Sequence, residues 1–344
     1  MMRRNRIVND FLRSDRDMPI HVIYQQLIGT PTEYDDMIAI FSQVKDDYAQ
    51  RIAMEYFYAN GFFSELKVIL EKNKNSSSRT NQKMARIYQI LYERKTNNKK
   101  RATNPAKYLQ VVNRMKIPEN EYELHILRDL LHIYCYFDMN QYGKMGTYNT
   151  HIKKLLQHIK DPLLHHLFAM RLDETLFIYH WKRNELILTR RYGFKLLKEI
   201  KNPYKKIDIH NLLAQSYLFD SYDQAYYHVT EAIALAEELH YERGIYGLRN
   251  YTLPFIAAYH GRTDGITTED KAEQAHIALA ENNPTLCVRI LEGFENLTPF
   301  QQYYLGKAKQ NKMLLRTAYQ RFVEERDDYF YARLPLEELN TLDQ

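Results

Sequence analysis

The stretch Tyr303–Leu339, YYLGKAKQNKMLLRTAYQRFVEERDDYFYARLPLEEL, decides the fold. Within it Leu305, Gly306, Ala318 and Phe322 recur at the offsets of a tetratricopeptide helical hairpin. The small residues Gly306 and Ala318 let two antiparallel helices approach closely, while Leu305 and Phe322 fill the seam. Such hairpins cannot bury a face alone, so they stack into a superhelix with a concave binding surface. The chain then passes through Asp327, Asp328 and Phe330 into Arg333-Leu334-Pro335-Leu336. The chemistry this pattern predicts is recognition.

Upstream, Leu213, Ala214, Tyr217, Ala225, Val229 and Ala232 repeat the same small/large alternation with an inner turn one residue shorter. Apolar residues at helical spacing predict helices over 20–27, 33–43, 46–60, 62–72 and 81–94, then 105–115, 119–137, 142–159 and 162–181, then 186–200, 207–219, 222–239 and 243–259. Their short connections imply antiparallel neighbours. Asn60-Gly61 has the form of a left-handed helix cap, Pro118 and Pro162 suit helix starts, and the polar run Lys72 to Gln82 reads as an exposed loop. The expectation is an all-α protein, a right-handed superhelix of degenerate tetratricopeptide-like hairpins. It forms a single helical-repeat domain over 1–344, with 1–17 a mobile end or first helix and no separate DNA-binding domain. A non-repetitive helical bundle is the alternative, because small residues at helix contacts serve bundles too.

Composition agrees. Only 11 Gly and 10 Pro accompany 29 Tyr and 15 Phe, and no run alternates as a sandwich or barrel strand would. Apolar runs are far shorter than the roughly 20 residues of a membrane span. Cys135 and Cys287 lie far apart, and Met1-Met2-Arg3-Arg4-Asn5-Arg6 is not followed by a signal-peptide core, which points to a reducing cytoplasm. A net charge of +5 among 43 acidic residues permits nucleic-acid contact without implying it.

Lys95, Lys99, Lys100 and Arg101 form a basic run that is a candidate nucleic-acid contact. It contains no aromatic residue and no glycine-rich phosphate cradle, so a solvated loop is the favoured reading. Arg3, Arg4 and Arg6 make a second basic cluster at a mobile end. His165, His166 and His180 lack the spacing of a zinc site, so no metal is predicted, and no cofactor either. There is no nucleophile elbow, phosphate-binding loop or kinase signature, and Cys135 sits among apolar and aromatic neighbours as a buried thiol would. The chain is therefore read as a non-enzyme. Tyr56, Tyr58, Tyr88, Tyr92, Tyr134 and Tyr136 fall at core spacing. The remaining tyrosines supply walls for a small, largely apolar peptide held by one or two fixed charges.

Further segments are specific. Asp10-Phe11-Leu12, Ala59-Asn60-Gly61-Phe62-Phe63, Glu273-Gln274-Ala275-His276, Tyr303-Tyr304-Leu305, Gln310-Asn311-Lys312 and Asp328-Tyr329-Phe330 occur in order. On these the chain resembles the arbitrium peptide receptors of temperate bacteriophages, tetratricopeptide regulators related to quorum-sensing receptors. The resemblance implies a receptor in the host cytoplasm whose concave surface holds a short secreted peptide and whose state regulates lysis and lysogeny. It places Glu273, Asp328 and Phe330 at peptide-contacting positions. Gln215 stands where the family uses an asparagine, with Leu218 an apolar neighbour. Tyr204, beside Lys205 and Lys206, aligns near a family arginine, and Ile178 and Lys182 near family asparagines, so the peptide is expected to differ. On this reading Asp328→Ala weakens peptide binding by roughly 1.5 to 3 kcal/mol without unfolding the array.

Family members carry an N-terminal helix-turn-helix. Here the matching region begins almost at Met1, so the output partner is expected to be either a regulatory protein or DNA met through the basic run. The resemblance implies dimerisation through a C-terminal helix, so a homodimer is a candidate, against which stands the end of the sequence at Gln344 so soon after Leu336. A protein-sequestering regulator resembling the Rap proteins and a plain scaffold are the other functions considered.

Overall fold

A computed structural model of the chain describes Val8, residues 19–97 and residues 103–343. Among the described residues every regular element is helical, so the fold is all-α. The chain divides into two compact units, residues 1–139 with 144–172, and residues 140–143 with 173–344.

The first unit contains α1 (Ile20–Leu27), α2 (Glu33–Phe41), α3 (Asp47–Asn60), α4 (Phe63–Lys74), α5 (Arg79–Thr96), α6 (Pro105–Asn113), α7 (Tyr122–Asp138), α8 (Met145–Leu156) and the start of α9 (Pro162–Lys182). Gly61 closes α3 at φ 78°, and the Phe62 N–H reaches the Phe57 carbonyl across the turn. The loop read over 72–82 is shorter than its polarity suggested. α4 continues to Lys74, and Ser78 caps α5 by accepting the Asn81 N–H. Asn73 and Asn81 are fully buried, with Asn81 Nδ2 donating to Asn73 Oδ1 at 2.8 Å. Two amides that satisfy each other can be buried, and composition alone does not reveal such a pairing.

The first core also encloses charge. Arg171 and Glu55 are fully buried, with Nη1 2.7 Å from Glu55 Oε2. The Tyr88 hydroxyl donates to the same carboxylate, and the rings of Tyr58 and Tyr134 stand 4.6 and 5.4 Å from the guanidinium. Of the tyrosines assigned to the core, Tyr56, Tyr58 and Tyr88 are buried, and Tyr92, Tyr134 and Tyr136 are half-buried.

The second unit takes up the end of α9 and continues with α10 (Leu186–Glu199), α11 (Pro203–Ser216), α12 (Tyr222–Glu238) and α13 (Glu242–Gly247). A π-helical segment (Leu248–Thr252) leads into α14 (Leu253–Tyr259), followed by α15 (Lys271–Ala280), α16 (Pro284–Leu291), α17 (Pro299–Ala308) and α18 (Lys312–Gln320). A second π-helical segment (Arg321–Glu325) precedes α19 (Arg333–Leu342). α11 begins four residues before the predicted Ile207. Asn202 accepts the N–H groups of Tyr204 and Lys205, and Pro203 occupies the first turn, where its missing donor does no harm.

The repeat in this unit is a repeat of turns. Asn184, His240, Gly261, Asn282 and Gln310 all have positive φ, from 47° to 64°. In each case the next N–H returns to a carbonyl five residues back: Glu185 to His180, Tyr241 to Ala236, Arg262 to Ala257, Asn283 to Ala278 and Asn311 to Gly306. These five helices, α9, α12, α14, α15 and α17, therefore end in the same left-handed cap, and the next element leaves in the same local geometry. The hairpin that opened the sequence reading closes as predicted. A Cβ on Gly306 would lie 3.0 Å from the Leu315 side chain and 3.1 Å from its backbone nitrogen, so glycine lets α17 and α18 approach without Leu315 having to give way. Ala318 and Phe322 are fully buried beside it.

Candidate functional site

The site in the second unit begins with one proline. Pro254 has no N–H, so in a regular helix the Asn250 carbonyl would lack its donor. The chain relaxes into the π-helical segment, where the Leu253 N–H reaches the Leu248 carbonyl five residues back. The Thr268 hydroxyl takes the freed Asn250 carbonyl at 2.7 Å, and the Asn250 side chain accepts the Glu269 N–H at 2.7 Å. Thus pinned, the loop delivers Asp270 as the cap of α15, accepting the N–H groups of Ala272 and Glu273, both at 3.0 Å. The proline, the bulge and the cap together set the position of Glu273.

Glu273 lines a cavity of about 180 Å³ with Gln215, Tyr251, Thr252, Phe255, Phe300 and Tyr331. The Tyr304 hydroxyl donates to Glu273 Oε1 at 3.3 Å. The second oxygen, Oε2, is buried without a hydrogen-bond partner, and His276 Nδ1, itself without one, stands 3.5 Å away. Burial, and then the Glu273 charge, push the Tyr304 phenol well above its usual pKa, so it stays a donor. Across the cavity Tyr331 donates to Gln215 Oε1 at 2.5 Å, Gln215 Nε2 reaches Asn211 Oδ1 at 3.3 Å, and Thr252 donates to that same Asn211 oxygen at 2.8 Å. Tyr331 packs edge-on to Phe255 and Phe300, with ring centroids 5.7 and 4.8 Å away. The site is therefore an apolar box carrying one incompletely satisfied carboxylate and one amide chain. A second cavity, about 380 Å³, borders the same π-helical segment at Arg249, Asn250 and Leu253.

Of the residues singled out in the sequence, the structure brings Gln215 and Glu273 together in the lining of one cavity. Leu218 and Phe330 are fully buried and outside that lining; Phe330 packs on Phe219 and Trp181, and the Leu218 carbonyl accepts from His260 Nε2 at 2.8 Å. Asp328 is only 1% exposed and points away from solvent to the Lys182 ammonium, 2.7 Å from its Oδ2. Ile178 is half-buried. Tyr204 is exposed with its ring edge against Tyr241, and the neighbouring Lys205 is paired with Glu174. Lys95 is exposed at the end of α5. Lys99, Lys100 and Arg101 lie outside the described residues, as do Arg3, Arg4, Arg6 and Asp10-Phe11-Leu12.

The residues that sequence reasoning missed are Tyr251, Thr252, Phe255, Phe300 and Tyr331. A signal existed for the first three, because Pro254 interrupts an otherwise helical pattern and π-bulges gather at functional sites.

Another polar pair lies between α11 and α12. His210 Nδ1 and His228 Nδ1 are 3.0 Å apart, with Phe194, Tyr217 and Tyr227 around the His228 ring. Burial, and then the neighbouring His210, lower His228 to about 4, and burial lowers His210 as well. Among the described residues no group of three or more His, Cys, Asp or Glu is placed to hold a metal ion, and no helix is long and apolar enough to cross a membrane.

Helical hairpins joined by one recurring turn, with a small polar-studded cavity opening between them, define a helical-repeat protein with a ligand-sized recess. The chain belongs to the AimR transcriptional regulator-like family, whose model matches residues 33–341. It is 24% identical over 238 residues to an uncharacterised protein of Bacillus anthracis, pXO2-35, covering 66% of this chain and 87% of that one. Among solved structures it resembles phAimR with its ligand, with a TM-score of 0.75 and 15% identity over 96% of this chain and 98% of that one. It also resembles selenomethionine phAimR, with a TM-score of 0.64 and 15% identity over 97% and 90%.

Proposed function

We propose that this chain is an intracellular receptor for a short secreted peptide, that the peptide docks at the cavity of the second unit, and that its binding changes the receptor's conformation to regulate phage lysis and lysogeny. The carrying observation is the cavity: Glu273 with an unsatisfied oxygen and Gln215 with its amide, set in walls formed by Tyr251, Phe255, Phe300 and Tyr331. An unpaired buried acceptor costs about 1–3 kcal/mol, and a donor brought by a ligand recovers it. Aromatic walls supply apolar area, and the amide chain through Gln215 and Asn211 offers donors and acceptors to a peptide backbone. At about 180 Å³ the recess is smaller than the ~300–1,000 Å³ of a drug-sized site, so a peptide places one side chain or one end in it and runs along Tyr251 outside.

On this reading Leu218 and Phe330 back the cavity wall, and Asp328 acts through Lys182 on the segment that carries Tyr331. The receptor is a single helical-repeat protein of the host cytoplasm. Its output partner is a regulatory protein or DNA, met by a surface that includes Lys95, and a homodimer is its candidate assembly. It is a receptor and not an enzyme: burial pushes the Cys135 thiol up to about 12, which leaves it a poor nucleophile.

A ligand that binds only the folded state raises the melting temperature with its concentration, by about 2.7 kcal/mol of stability at a hundred times Kd. Synthetic peptides encoded by small reading frames beside the gene are therefore expected to include one that shifts the melt in a dose-dependent way. A folded protein whose melt is indifferent to all of them contradicts the proposal.

A further inference from the structure

Lys182 is the last residue of α9, and its side chain is almost completely buried, at 4% exposure. A buried ammonium needs several partners to offset the water it has lost. Lys182 has them on every side. Its Nζ lies 2.7 Å from Asp328 Oδ2 and 3.9, 4.5 and 4.7 Å from the ring centroids of Trp181, Tyr331 and Tyr142. Three aromatic faces and one carboxylate around a cation are the arrangement by which proteins recognise free ammonium ligands. Here the cation arrives on a tether from the chain itself.

The cage also holds a segment in place. The Lys182 carbonyl accepts the N–H groups of Tyr329 and Phe330 at 2.8 and 3.2 Å, and Asp328 Oδ1 accepts the Tyr331 N–H at 3.1 Å. The Tyr142 N–H donates to the Arg326 carbonyl at 3.1 Å. Residues 326–331 are thus fixed by one lysine, one carboxylate and the residues that complete the cage. Tyr331 belongs both to this cage and to the wall of the Gln215–Glu273 cavity.

We propose that Trp181, Tyr142, Tyr331 and Asp328 form a binding site for an alkylammonium group, filled in cis by Lys182, and that its occupation fastens the turn leading into α19. The site shares Tyr331 with the cavity but holds a different group, and it does not depend on the identity of any peptide. Removing the tether empties it: Lys182→Ala deletes three methylene groups and the nitrogen, which n-propylammonium restores atom for atom.

The test is chemical rescue of full-length Lys182→Ala, read by thermal melting and by the emission of Trp181, the only tryptophan in the chain. The variant is expected to melt several degrees below wild type. Millimolar n-propylammonium should recover at least half of that loss in a saturable way and shift the Trp181 emission toward the wild-type spectrum. n-Propanol and sodium chloride at equal concentration should do neither. Lys182→Met/Asp328→Asn, which keeps the bulk without either charge, should fold and show no response. Should Lys182→Ala not fold unaided, refolding with n-propylammonium is expected to recover soluble protein and refolding with n-propanol is not. Equal recovery by n-propanol, no recovery by either, or undiminished rescue in Lys182→Ala/Asp328→Asn overturns the proposal.

Discussion

Arg171 in the first unit and Lys182 in the second are each a buried cation set against one carboxylate and ringed by tyrosines, yet their surroundings differ. Arg171 is held by Glu55, Tyr58, Tyr88 and Tyr134, all on helices of a closed core. Lys182 is held by Asp328 and Tyr331, which lie on an irregular turn, and Tyr331 also faces a cavity. Guanidinium suits the first setting, because a rigid, always charged group packs against rings at little entropic cost. A single ammonium on a flexible stem suits the second, where the partner segment is itself a turn. The same chemistry serves the core in one unit and fastens an irregular turn in the other.

The sharpest way to break this comparison is to delete each cation's partnership and read the two units separately by hydrogen exchange. Arg171→Met leaves the buried Glu55 carboxylate without its cation, and is expected to destabilise the first unit by about 3–5 kcal/mol. Asp328→Ala strands the Lys182 ammonium instead. The structure thereby changes the outcome inferred from the sequence: a loss of about 3 kcal/mol of stability, with exchange fastest in 326–331, in place of a folded array with weaker binding. Equal loss of protection throughout both units after Asp328→Ala would show that the turn is not a separate device.

A smaller effect sharpens the contrast through pH. His132 in the first unit and the His210–His228 pair in the second are all lowered by burial, and His228 reaches about 4. A histidine whose folded pKa lies below its unfolded value of about 6.5 leaves the unfolded chain binding more protons, so stability is complete above that pH and falls as acid is added. With His210, Lys206 and Glu231 as the titratable and charged groups bearing on the pair, the second unit is expected to lose about 2–3 kcal/mol between pH 6.5 and 4. His228→Phe should flatten that part of the stability profile. An unchanged profile would assign the acid sensitivity elsewhere.

Much of the fold was legible in the sequence because apolar periodicity is a local property. The predicted spans at 20–27, 105–115, 162–181 and 222–239 meet α1, α6, α9 and α12 within two residues at either end. The recurring turn was not legible, since left-handed caps at Asn184, His240, Asn282 and Gln310 use no glycine. Glu273 and Gln215 entered through family resemblance, and the structure supplied the aromatic walls between them. Asp328 read as an accessible acid because its partner lies 146 residues earlier, and a tertiary ion pair leaves no local mark. The π-helical segment was foreshadowed by Pro254, but which carbonyl it frees and what captures that carbonyl depend on Thr268, beyond the span of any helical pattern.

The most direct test of the central claim is calorimetric titration of wild type and Glu273→Gln, side by side, with the peptide that shifts the wild-type melt. Saturable micromolar or tighter binding to wild type is expected, with a loss of about 1.5–3 kcal/mol of affinity in the variant and an unchanged melting temperature when peptide is absent. Equal affinity for the two proteins would contradict a peptide site at the Gln215–Glu273 cavity.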